Sequence, residues 1–144
     1  RFKLPRPMLN KHGLNMSFSG LKTSVMRAIC DLEIDDQVRA DISREFLQAV
    51  SDVLVKKVNT AIDSTDIKKI IVSGGVSANQ FLRKNFNDLC LRRGVEILFP
   101  PLKYSTDNAA MIALAGSMRY QSGDRPQEEF SVLARWPVEL LKTP

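Results

Sequence analysis

Ile70-Ile71-Val72-Ser73-Gly74-Gly75-Val76-Ser77-Ala78-Asn79 is where one backbone period gives way to another. The β-branched run Ile70 to Val72, entered from Lys68-Lys69, reads as a short buried strand. Two glycines follow at once. Ser77, a residue type favoured at helix N-caps, then precedes a segment of helical spacing. Strand, Gly-Gly turn and helix start form a geometry in which backbone N–H groups can approach a nucleotide or phosphate, because glycine has no Cβ to hold a ligand off. The same turn also occurs in α/β proteins that bind nothing there, so a plain tight turn stands beside the functional reading.

Downstream, Phe81, Leu82, Phe86, Leu89 and Cys90 fall on one face of a helix over about 77–93, with Arg83, Lys84, Arg92 and Arg93 on the solvent side. Gly94 stops it as a C′ glycine, and Val95 to Phe99 reads as a second strand closed by Pro100-Pro101. The unit is therefore β–α–β, which implies parallel strands and a right-handed crossover.

Upstream lies the longest periodic pattern. Val38, Ile42, Phe46, Ala49, Val50, Val53, Leu54, Val58, Ala61 and Ile62 recur at three and four residues, with Arg39, Asp41, Arg44 and Glu45 on the other side. This predicts a helix over about 37–62, buried on one face and ended by Ser64-Thr65. Ser19 is read as the N-cap of an earlier helix carrying Leu21, Val25, Met26, Ile29 and Cys30 on one face, followed by an acidic connector over 31–36.

Arg1 to Asn15 is rich in Pro, Gly and basic residues and reads as a leader or linker. At the other end, Thr106-Asp107-Asn108 opens a helix whose Ala109, Ala110, Ile112, Ala113, Ala115 and Gly116 make it small-sided, so it should pack closely on a neighbour. The tail holds the single tryptophan, Trp136. The expected fold class is α/β, helix-rich with a few mainly parallel strands, divided into a leader over 1–15 and a globular segment over 16–144.

The chain has 144 residues, 44% hydrophobic and 26% charged, enough to supply a core. It holds no apolar run of about 18 residues or more, so no transmembrane helix is expected. Arg1 to Leu9 lacks the apolar centre of a signal peptide. An opening Arg followed by Pro5 and Pro7 looks like a linker or a cut inside a longer protein. The formal charge of +5 and pI near 9.4 permit contact with nucleic acid. Cys30 and Cys90 sit in apolar helical patterns and read as two buried thiols of a reducing compartment.

Four groups carry candidate chemistry. Gly74 and Gly75 with Asn79, placed in the first turn of its helix, suit a ribose hydroxyl or a phosphate, against the alternative of a capping Asn. Asp107, also placed in a first helical turn, is either a metal-binding carboxylate or a residue favoured there by the helix dipole. One carboxylate is not a metal centre, and His12 has no partner at ligand spacing. The stretch from Ser17 through Ser19 and Gly20 to Lys22 holds a Ser-Gly pair beside a lysine that could contact phosphates, but a helix N-cap explains it as well and the run is not a Walker loop. Arg83, Lys84, Arg92, Arg93 and Lys103 make a basic set, either a solvated face or a phosphate-backbone contact.

Three motifs stand in fixed order: Ser17-Phe-Ser-Gly-Leu-Lys-Thr23, Val72-Ser-Gly-Gly-Val-Ser-Ala-Asn79 and Tyr104-Ser-Thr-Asp-Asn-Ala-Ala-Met-Ile-Ala113. With Asp36-Gln-Val-Arg-Ala-Asp-Ile42 and Ala134-Arg-Trp-Pro137, they closely resemble the C-terminal part of the TsaD family, bacterial type. These are the tRNA N6-adenosine threonylcarbamoyltransferases, formerly called O-sialoglycoprotein endopeptidases or glycoproteases. The resemblance covers essentially the whole chain.

It implies the C-terminal lobe of the two-lobed fold shared by actin, Hsp70 and sugar kinases (ribonuclease H-like), occupying 16–144. It also implies transfer of threonylcarbamoyl from threonylcarbamoyl-AMP to N6 of the adenosine next to the anticodon, in tRNAs reading codons that start with A. The resemblance assigns adenylate binding to Gly74, Gly75 and Asn79, and one ligand of a divalent metal, iron or zinc, to Asp107. The other ligands would come from an HxxxH motif that this sequence lacks. Ala109 stands where the family usually has Gly. Implied partners are tRNA, a catalytically dead paralogue and a small ATPase, in the cytoplasm or, second, the mitochondrial matrix, with no membrane. Two alternatives remain: a fragment of a sugar or acetate kinase, and a non-catalytic partner-binding lobe. The expectation is an enzyme fragment inactive by itself. A peptidase role finds no HExxH site and no activated nucleophile.

Overall fold

The computed structural model describes residues 1–125, together with Ala134 and Pro137. The Ala134-to-Pro137 motif therefore falls largely outside the described residues. In order, the elements are α1 (Ser19–Ile29), α2 (Asp36–Thr65), β1 (Lys69–Ile71), α3 (Gln80–Arg93), β2 (Glu96–Leu98) and α4 (Ala109–Gln121), with 3-10 turns at Gly75–Ala78 and Leu102–Tyr104.

α2 begins where Asp35 accepts a hydrogen bond from Val38 N at 2.6 Å, leaving one fewer unpaired N–H in the first turn. It ends at Asp66, which takes the left-handed conformation. One face of α2 then contributes to both clusters of the core. Ile42 and Ala49 join Leu4 and Leu21 in one cluster, while Ile62 joins Leu89, Cys90 and Val95 in a second. The leader is irregular but anchored. Leu4 N donates to Glu45 at 3.0 Å, and Arg6 pairs with Glu45 and Asp52. Lys57 Nζ, buried, donates to Lys11 O and Gly13 O at 2.7 and 2.8 Å.

β1 and β2 pair in parallel, with Lys69 opposite Glu96, Ile70 opposite Ile97 and Ile71 opposite Leu98. α3 links them, as the β–α–β spacing predicts. It ends at Gly94, φ +63°, whose N–H reaches Cys90 O and Leu91 O. That positive φ suits glycine and terminates the helix.

Several expectations are corrected. The strand is half-covered, not buried: Ile70 faces α3, but Ile71 is 71% exposed because the described sheet has only two strands and one helix-covered face. Ser19 is the first helical residue of α1, with Phe18 at the cap position and no side-chain cap bond. Ser77 does not cap α3; it lies within the 3-10 turn, and Asn79 takes the cap. Cys30 is exposed at the end of α1, with Sγ 3.2 Å from Asp31 Oδ2, so only Cys90 is a buried thiol, its pKa raised by desolvation. Met26, Phe46 and Phe81 are exposed, lying at the edges of their apolar faces. α4 buries none of its side chains among the described residues, so the close packing expected of it is not seen there.

Candidate functional site

Two loops leave the same end of the parallel pair. Val72 N donates to Leu98 O at 3.0 Å, the last ladder bond, and the strands then diverge. After β1 the chain reaches Gly74 at φ +89° and ψ 169°, a region that disfavours any Cβ. Ser77 N closes back on Gly74 O at 2.9 Å, and Asn79 N on Val76 O at 3.0 Å. No heavy atom lies within 4 Å of where a Cβ would stand on Gly74 or Gly75. Open space, not crowding, lies beside both glycines, so a ligand can come up to their main chain.

The second loop follows β2. Ser105 is buried, whereas Thr106 and Asp107 are exposed. Asn108 caps α4 by accepting from Met111 N at 3.0 Å, and its Nδ2 donates to Thr106 O at 2.9 Å. Asp107 therefore precedes the cap and does not occupy the first turn. Placement within a first turn cannot explain its presence.

Gly74, Gly75 and Asp107 line one cavity of about 690 Å³, with Tyr104, Ser105 and Thr106. A second cavity of about 710 Å³ shares Ser73 and Gly75 with the first, and is walled by Phe46, Val50, Phe86 and Phe99 and reached by Ser77 and Asn79. Asn79 Oδ1 accepts from Leu82 N at 3.1 Å, so the capping alternative is realised. Its Nδ2 has no partner among the described residues and remains a donor. Ser17 and Ser19 line neither cavity; their hydroxyls stand 3.2 Å apart at the start of α1. Ser77 Oγ is buried without a hydrogen-bond partner.

Arg83, expected on the solvent side of its helix, instead turns onto the two loops. Its guanidinium donates to Ser77 O at 2.5 Å, Pro100 O at 2.9 Å and Ser105 Oγ at 3.1 Å, and sits 4.8 Å from the Phe99 ring centre. Periodicity missed it because an arginine on a helix flank gives no hint of which carbonyls it will meet. The rest of the basic set divides: Arg93 pairs with Asp63, and Lys103 lies over the Tyr104 ring.

Among the described residues no three His, Cys, Asp or Glu side chains come close enough to hold a metal. Asp107 is an exposed carboxylate on a cavity wall, which suits a single ligand and not a complete centre.

Residues 1–114 match the family described as TsaD, tRNA N6-adenosine threonylcarbamoyltransferase. Relatives bearing that same description include those of Nitrosomonas europaea, 47% identical over 144 residues, and Chromobacterium violaceum, 44% identical over 146 residues. The match takes in 98% of this chain in both cases, but 43% and 42% of the respective relative. The chain spans less than half the length of the relatives it matches.

Proposed function

Because this chain belongs to the TsaD family of tRNA N6-adenosine threonylcarbamoyltransferases, we propose that it is the part of such an enzyme that holds an adenylate beside one metal-binding carboxylate. The observation carrying this reading is that Gly74, Gly75 and Asp107, separated in sequence, line one cavity. The open N–H face of the turn would take the phosphate or ribose of threonylcarbamoyl-AMP, and Asn79 Nδ2 would donate from the adjoining cavity. Ser17 and Ser19 stay in the proposal as phosphate contacts on the strength of their sequence motif alone.

Asp107 would supply one ligand to iron or zinc. A metal bound there supplies Lewis-acid polarisation of the carbamoyl carbonyl. The chain holds a single histidine, His12, so a pair of histidine ligands has to come from outside it. The net charge of +5 suits the tRNA that would accept the group at N6. The working partners are a catalytically dead paralogue and a small ATPase. Residues 16–144 serve as part of an actin-like C-terminal lobe, in the cytoplasm. Among the described residues no helix is long and apolar enough to cross a membrane.

The chain alone should bind AMP and fail to turn over. Isothermal titration with AMP, and an assay with threonylcarbamoyl-AMP and tRNA read by mass spectrometry of the nucleosides, test both halves. AMP binding lost in Gly74→Val supports the turn as the adenylate site, and no AMP binding by the parent chain overturns it. Modified adenosine formed by the chain alone overturns its incompleteness.

A further inference from the structure

We propose that Arg83 is the positioning residue that sets the spacing between the Gly-Gly turn and the loop carrying Asp107; this rests on the reading that the two loops form one site. The parallel ladder ends at the bond between Val72 N and Leu98 O. Past that point, every hydrogen bond described between the two loops or their flanks runs through this one guanidinium. Nε holds Ser77 O on the exit of the turn, while Nη2 holds Pro100 O and Ser105 Oγ, five residues apart on the second loop. Ser105 is buried and stands two residues before Asp107, so its hydroxyl transmits the restraint to the carboxylate.

The acceptors are two carbonyls and a hydroxyl, and none of the described ion pairs involves Arg83. Charge neutralisation is therefore not its purpose here. A planar fork with several fixed donors, stacked 4.8 Å from the Phe99 ring centre, can hold two backbone segments at one separation. A lysine offers a single nitrogen on a flexible stem and cannot reproduce that fork.

The test measures the spacing itself. In the 144-residue chain carrying Cys30→Ser, spin labels go on cysteines introduced by Ser73→Cys and Thr106→Cys, two exposed positions lining the shared cavity. Cys90 is buried and stays unlabelled. Double electron–electron resonance on the parent should give one narrow distance peak. Arg83→Lys and Arg83→Met should each lose that single peak, while circular dichroism still reports a folded chain. An unchanged peak with only a lowered melting temperature would mean that Arg83 merely stabilises, and overturns the proposal. If both Arg83 variants unfold, Ser105→Ala decides: it removes one acceptor, and a broadened peak supports the proposal whereas an unchanged one overturns it. AMP titration runs beside these measurements. A parent that binds no AMP sinks the adenylate reading, and the label distances still judge Arg83 on their own.

Discussion

α2 and α4 are both helices rich in apolar side chains, and the fold treats them oppositely. α2 buries Val38, Ile42, Ala49, Val53 and Ile62, and takes the leader, α1 and α3 as neighbours. α4, with Met111, Ile112, Leu114 and Met118, buries nothing. Yet α4 is well formed, because its helicity is local: Asn108 caps its first turn and four alanines favour the conformation. The contrast teaches that apolar composition reports what a helix can bury, while burial itself depends on what else the chain brings near. A helix apolar on most sides normally belongs inside a protein. The described residues leave α4 uncovered, in a chain that spans 43% of its Nitrosomonas europaea relative.

The sharpest way to break the comparison is to remove the same atoms from both sides of it. Leu21 on α1 is fully buried in the cluster against α2, whereas Leu114 on α4 is 63% exposed. Leu21→Ala should cost about 2–5 kcal/mol through lost transfer energy and the cavity left behind. Leu114→Ala should stay within about 0.5 kcal/mol of the parent. Urea unfolding of the two variants checks both. A matching loss at Leu114 would show α4 to be covered and would erase the distinction.

The same distinction explains what was legible beforehand. α2, α3 and the parallel strand pair follow from period and punctuation, since their apolar residues are satisfied by segments close in sequence and Gly94 ends α3 through its positive φ. The pairing of Gly74 and Gly75 with Asp107 on one cavity is a consequence of the β–α–β unit, which brings both loops to one end of the strands. Spacing did not show which Asx residue caps and which stands free. Asn79 and Asn108 bond back to their own helices, and Asp107, next to one of them, does not. Nor did it show Arg83, because its acceptors are backbone carbonyls that exist as a set only after folding. Cys30 misled for a related reason: the apolar face it belonged to ends one residue before it.

A medium effect should come from Lys57, which makes the leader part of the packed side. Its ammonium is buried, and the acceptors described for it are the carbonyls of Lys11 and Gly13. Lys57→Met keeps the stem's volume but leaves two carbonyls without their donor, at about 1–3 kcal/mol. Trypsin cleavage after Lys11 should accelerate in Lys57→Met, with cleavage after Arg119 on α4 unchanged. If both sites accelerate together, the leader and α4 belong to one cooperative unit, and the contrast between them fails.

The smallest expected effect is a pH dependence confined to the leader side. Glu45 is held below its ordinary 4.5 chiefly by the hydrogen bond from Arg6, with burial opposing and the Leu4 N–H assisting. A carboxylate whose folded pKa is depressed stabilises the fold above its unfolded value, and loses that contribution as pH falls through the folded one. Arg6 is shifted the other way, raised first by its hydrogen bond to Glu45, so it stays charged and its own contribution is constant across the acid range. The acid limb therefore reports Glu45. Below pH 4.5, the protection of the Leu4 amide, whose N–H donates to Glu45, should fall in the parent relative to the intrinsic exchange rate at the same pH. Glu45→Gln should already exchange faster at neutral pH and show a flatter acid response. Asp66 is also depressed, by Lys68, but it is fully exposed, so water and salt screen the pair and its titration should leave Leu4 unmoved. The amides of α4 have no such carboxylate partner among the described hydrogen bonds, and their exchange should not follow the Glu45 titration. A shared midpoint at Leu4 and in α4 would mean that acid unfolds the chain as a whole, and that its two sides differ in exposure but not in stability.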